Sequence, residues 1–132
     1  MAPASPDADA IRDLLRLRRA VPVTVQGGCM APAFENGQTL LVHRPDRARP
    51  GDVALIDVGG TLELHRLLDR IAVGRRTWYV HAGDASTECG VAAEGDILGV
   101  VEAAGGRRKP PIRARLLGWA LRARALLYHL TR

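Results

Sequence analysis

The sequence predicts a mainly β domain, an irregular antiparallel sheet with one helix before it and one after. Short runs of β-branched and large apolar residues recur about every 8–20 residues between Val23 and Val101, separated by Gly, Pro and Asn turn signals. Two segments nearer the termini instead carry apolar residues at helical spacing. With 132 residues, 47% of them apolar and 25% charged, the chain makes one domain with a real core.

The elements follow in order. Ser5-Pro6 reads as an N-cap with proline at the first helical position, and Asp7 and Asp9 sit at the positive end of the helix dipole. Ile11, Leu14 and Leu15 form a one-sided stripe, and the helix, expected over 6–19, stops before Pro22. Val23-Thr24-Val25 opens the β region, and Thr39-Leu40-Leu41-Val42 follows an Asn36-Gly37 turn signal. Val53 to Val58 and Thr61 to Leu68 flank Gly59-Gly60, a hairpin turn. Trp78-Tyr79-Val80 and Ile97 to Val101 complete the strands. Gly105-Gly106 and Pro110-Pro111 bracket a linker to an amphipathic helix over Ile112 to Leu130. The expected organisation is therefore an N-terminal helical segment, 1–22, a β core, 23–104, and a basic linker with its helix, 105–132.

The net charge of +5 is unevenly placed. Residues 105–132 hold eight of the 19 Lys+Arg and no acid, which leaves 11 basic against 14 acidic residues elsewhere. A basic tail on a mildly acidic body argues against a nucleic-acid-binding face, which spreads positive charge across the fold. The tail helix suits either peripheral contact with an acidic membrane surface or packing on the body or another subunit. No run approaches the ~20 apolar residues of a membrane span, and MAPASPDADA does not read as a secretory signal, so the expected location is cytoplasmic. Cys29 and Cys89 are the only cysteines, with no CxxC. A disulfide between them is the lesser reading for a cytoplasmic chain. Cys29, His43, His65 and His81 follow no zinc spacing, so neither metal nor cofactor is expected.

The sharpest local signal is Val25-Gln26-Gly27-Gly28-Cys29-Met30-Ala31-Pro32. A β run enters two glycines, which permit a tight turn and the close approach of another backbone, and then presents a thiol. Cysteine buried as a small core residue is the competing reading. An imidazole beside the thiol would populate thiolate at neutral pH and return the proton to a leaving amine. The thiolate attacks an amide carbonyl, and water hydrolyses the resulting thioester.

This segment resembles the nucleophile box, Gly-x-Ser-Met-x-Pro, of type I signal peptidases and the related self-cleaving LexA-like repressors, with Cys29 in the serine's place. Further boxes follow in the same order. Pro50-Gly51-Asp52-Val53 is similar to the Gly-Asp-Ile-Val strand start, and Leu64-His65-Arg66-Leu67 to the general-base box. His81-Ala82-Gly83-Asp84-Ala85 is similar to the Gly-Asp-Asn box, and Ile97-Leu98-Gly99-Val100-Val101 to the strand after it. His65-Arg66 resembles the branch with a histidine base, found in archaea and the endoplasmic reticulum, rather than the lysine branch.

The resemblance implies a signal peptidase/LexA-like core in which Cys29 and His65 form the dyad and the Cys29 N–H stabilises the oxyanion. Asp84 would orient His65 or hold the site's loop, with Glu88 the other acid nearby. Gly27, Gly28, Met30 and Pro32 would bind substrate. Met30 and Phe34 would line a shallow apolar surface, simple core packing being the alternative. The single N-terminal helix cannot build a helix-turn-helix unit, so no nucleic-acid partner is expected. The expected function is cleavage of an extended, leader- or signal-like peptide. The alternatives are an inactive peptide-binding module of the same fold, or a membrane-surface adaptor acting through 112–130.

Overall fold

The computed structural model describes residues 7–28, 30–31, 33–44, 48–86, 88–101, 119–120 and 123. Its first element, α1 (Ala8–Leu17), starts later than expected because the Asp7 side chain caps it, accepting the Ala10 N–H at 2.7 Å. Ser5 and Pro6 lie outside the described residues. Ala8, Ile11 and Leu15 are buried, one stripe of the helix, and enter the same apolar cluster as Val21, Leu40 and Leu55 of the sheet. Arg12 fastens the helix from its polar side, donating to the Gly95 carbonyl at 2.7 Å and to Asp57 at 3.3 Å.

The strands are β1 (Ala20–Thr24), β2 (Thr39–His43), β3 (Val53–Val58), β4 (Thr61–Val73), β5 (Arg76–Ala82), β6 (Gly90–Ala93) and β7 (Ile97–Val101). They form one antiparallel sheet in the order β1-β2-β7-β3-β4-β5-β6. The mainly β antiparallel architecture with its leading helix is thus as expected. One difference is that β1 includes Pro22, opposite Leu41, instead of starting after it. This strand lies at an end of the sheet, where a residue without an N–H forfeits no ladder bond on its open side.

The β3–β4 hairpin turns on Gly59 and Gly60, both at positive φ (61° and 90°), with Val58 paired to Thr61. β4 then runs to Val73, past the Leu68 expected, because beyond a register shift between Leu67 and Asp69 it goes on pairing with β5, from Asp69 opposite Val80 to Val73 opposite Arg76. The short β6 and the 3-10 turn Glu94–Asp96 were not anticipated. In β7, Gly99 passes so close to β2 that a Cβ there would meet Val42 Cγ1 at 2.6 Å and the His43 carbonyl oxygen at 2.7 Å. Of the helix expected over 112–130, Trp119, Ala120 and Ala123 are described and exposed; the rest lies outside the described residues.

Candidate active site

His65 and Arg66 are consecutive residues of β4, and successive side chains of a strand point to opposite faces. Two different polar assemblies result.

On one face stands Arg66, 4% exposed. Its Nε and one terminal nitrogen donate to the two Asp84 carboxylate oxygens at 2.8 and 2.9 Å. The other terminal nitrogen donates to the Gly51 carbonyl at 2.8 Å. This bidentate pair neutralises a buried charge that would otherwise be costly. It also ties two motif loops together. Gly51 donates to the Leu67 carbonyl at 2.7 Å and Leu67 to the Asp52 carbonyl at 2.8 Å, while the Asp52 carboxylate accepts the Arg49 N–H at 2.9 Å. Of the two roles open to Asp84, holding a loop matches these contacts. Its carboxylate serves the arginine and not the imidazole.

On the other face, the His65 Nδ1 lies 2.8 Å from the Nδ1 of His81, with ring centroids 5.0 Å apart. Register explains the meeting. Leu67 of β4 faces His81 of β5, so His65, two residues earlier on the same face, is the diagonal neighbour of His81. The His65 side chain is 18% exposed, whereas His81 is 4% exposed. Glu63, two positions before His65 on the same face, brings a carboxylate oxygen to 3.7 Å from its Nδ1. Burial pushes the pKa of His65 below its ordinary value, with Glu63 pulling the other way. His81 is lowered too, first by burial and then by the neighbouring His65, again against Glu63. Burial thus favours the neutral form of both rings, in which one Nδ1 donates and the other accepts.

The nucleophile box is described in part. Gly27 and Gly28 are exposed, and the Gly27 N–H donates to the Asn36 side chain at 2.9 Å. Val25 is clamped by the Gln38 carbonyl and the Gly37 N–H, each at 2.8 Å. Cys29 and Pro32 lie outside the described residues. Met30 is fully buried and Phe34 nearly so, both in the main cluster, so both are packing residues and not an open apolar surface. Cys89 is exposed with a free thiol. Among the described residues no group of three or more His, Cys, Asp or Glu is placed to hold a metal, and no helix is long and apolar enough to cross a membrane.

The sequence motifs place His81 only at the edge of the Gly-Asp box and among histidines without zinc spacing, and they give Glu63 no role. Glu63 was open to discovery, since a two-residue spacing on a strand puts it beside His65. His81 was not, because its approach depends on which residue of β5 faces Leu67. A family model described as Peptidase S24-like matches residues 9–101, in accord with the LexA- and signal peptidase-like resemblance of the motifs. No curated protein and no solved structure matches the chain.

Proposed function

The chain belongs to the Peptidase S24-like family, and on that premise we propose that it cleaves an extended, leader- or signal-like peptide through Cys29 and His65. The observation that carries this reading is the state of His65. It is a partly exposed imidazole held through Nδ1, with burial favouring its neutral form, and this arrangement leaves Nε2 for proton transfer. In the proposed cycle Nε2 takes the Cys29 thiol proton and the thiolate adds to the peptide carbonyl. The Cys29 N–H stabilises the oxyanion, and the imidazolium protonates the departing amine. Water then hydrolyses the thioester, with His65 as base. Asp84 holds the loop of its own motif through Arg66. Gly27 and Gly28, exposed ahead of Cys29, give a substrate backbone room to approach. The histidine-base branch is the assignment His65-Arg66 supports, and 112–130 is proposed as a peripheral attachment to an acidic membrane surface.

The test is alkylation of Cys29 across pH in the full chain with Cys89 replaced by Ser. A free thiol titrates near pH ~8.5 and is only about 3% ionised at pH 7. The wild type is expected to react with a midpoint well below that, because the thiolate stabilises the imidazolium that His65 becomes on taking the Cys29 proton. His65→Ala should return the midpoint to the free value and slow the reaction at pH 7 by up to about thirtyfold. Identical profiles in both proteins would sink the dyad and favour the inactive binding module.

A further inference from the structure

In a dyad the base must keep one ring nitrogen bare towards the nucleophile, and a partner at the other nitrogen selects that tautomer. The acid that the motifs offered for this task is occupied, since Asp84 is chelated by Arg66 on the opposite face of β4. What occupies the Nδ1 side of His65 is another imidazole.

We propose that His81 is the positioning residue of this site, its Nδ1 accepting the Nδ1–H of His65 at 2.8 Å and so reserving the His65 Nε2 lone pair as the proton acceptor. The inference rests on the Cys29–His65 reading. One proton lies between the two Nδ1 atoms, so His81 carries its own proton on Nε2. When His65 takes the thiol proton on Nε2, its Nδ1–H bond to His81 becomes charge-assisted. That proton stays on His65, so the step moves one proton from sulfur to Nε2 and none to His81. His81, 4% exposed against 18% for the His65 side chain, is the costlier ring to charge, so it accepts the bond without taking the proton. Glu63, 3.7 Å away, supplies the negative field that a neutral partner lacks.

The ring of His81 is itself held in place. It is 4% exposed, and β6 crosses it at Gly90, its register partner. A Cβ on Gly90 would stand 2.7 Å from His81 Cε1 and 2.8 Å from Nε2, so only glycine leaves this ring position open. Gly90 is thereby drawn into the site from a strand that carries no reactive group, and it offers a way to move His81 without deleting it.

The test reads the tautomer of His65 by proton–nitrogen correlation spectroscopy on the full chain at a pH where both rings are neutral, alongside Cys29 alkylation. The wild type is expected to show Nδ1–H on His65 and Nε2–H on His81. His81→Leu removes the acceptor and Gly90→Ala displaces it. Each should move His65 towards Nε2–H and slow alkylation at pH 7 about tenfold. His81→Asn, whose side-chain oxygen stands where Nδ1 stood, should restore both. An unchanged His65 tautomer in folded Gly90→Ala and His81→Leu proteins overturns the positioning role, even with Cys29 still activated. Failure of the underlying reading shows separately, as a Cys29 indifferent to His65→Ala.

Discussion

The two faces of β4 at residues 65 and 66 solve opposite problems with adjacent residues. The Arg66 face buries a permanent charge and gives each of its three nitrogens a partner, with two bonds to Asp84 and one to the Gly51 carbonyl. The His65 face buries groups whose charge is optional, keeps them neutral and leaves one ring nitrogen of His65 outside the Nδ1 pair. A fixed charge chelated by a carboxylate builds a rigid support. A pair of neutral imidazoles sharing one proton builds a site able to accept another. In the Gly-Asp motif the aspartate turns both carboxylate oxygens to the arginine.

The comparison can be broken most forcefully at Asp84. Asp84→Ala leaves Arg66 buried without its counter-ion, a change that costs about 3–5 kcal/mol in such pairs. Urea unfolding should register that loss, while the His65 tautomer in the remaining folded protein stays as in the wild type. A stable Asp84→Ala protein with a scrambled His65 tautomer would instead assign the aspartate to the imidazole face.

Acid sharpens the contrast next. The folded pKa values of His65 and His81 lie below the 6.5 of the unfolded chain, so the unfolded state binds more protons as pH falls. The stability associated with the neutral rings is fully present above pH 6.5 and declines below it, until the folded values are passed. The slope is at most about 1.4 kcal/mol per pH unit for each imidazole. Unfolding midpoints followed downward from neutrality should show this decline, and His81→Asn should flatten it. An equal slope in wild type and variant would remove the imidazole face as its source.

The smallest effect belongs to Glu63. Its carboxylate favours the protonated form of both rings, so Glu63→Gln should move the His65 titration further down. Because Glu63 is 38% exposed, solvent screens it, and the change in stability should stay within about 0.2–1 kcal/mol. Imidazole titration by NMR checks the direction; an upward shift would contradict the arrangement.

Most strands could be read from the chain because each is a short local pattern. Val53 to Val58, the Gly59-Gly60 turn and Ile97 to Val101 coincide with β3, its hairpin and β7. The short β6 escaped notice because Gly90–Ala93 holds one β-branched residue and two alanines, and its strand character comes from pairing with β5. Pro22 hid the start of β1, since proline marks a break in sequence but is tolerated at a sheet edge.

Residue types and order alone thus determined the mainly β class, the leading helix, the peptidase-like motifs and His65 as the candidate base. The three-dimensional arrangement decided which groups serve which. It gave Asp84 to Arg66, put Met30 in the core and brought His81 against His65. The reason is that partnership across a sheet depends on register and on which face each side chain takes. A shifted register between Leu67 and Asp69, and a β6 glycine that admits a ring, are consequences of pairing between distant segments.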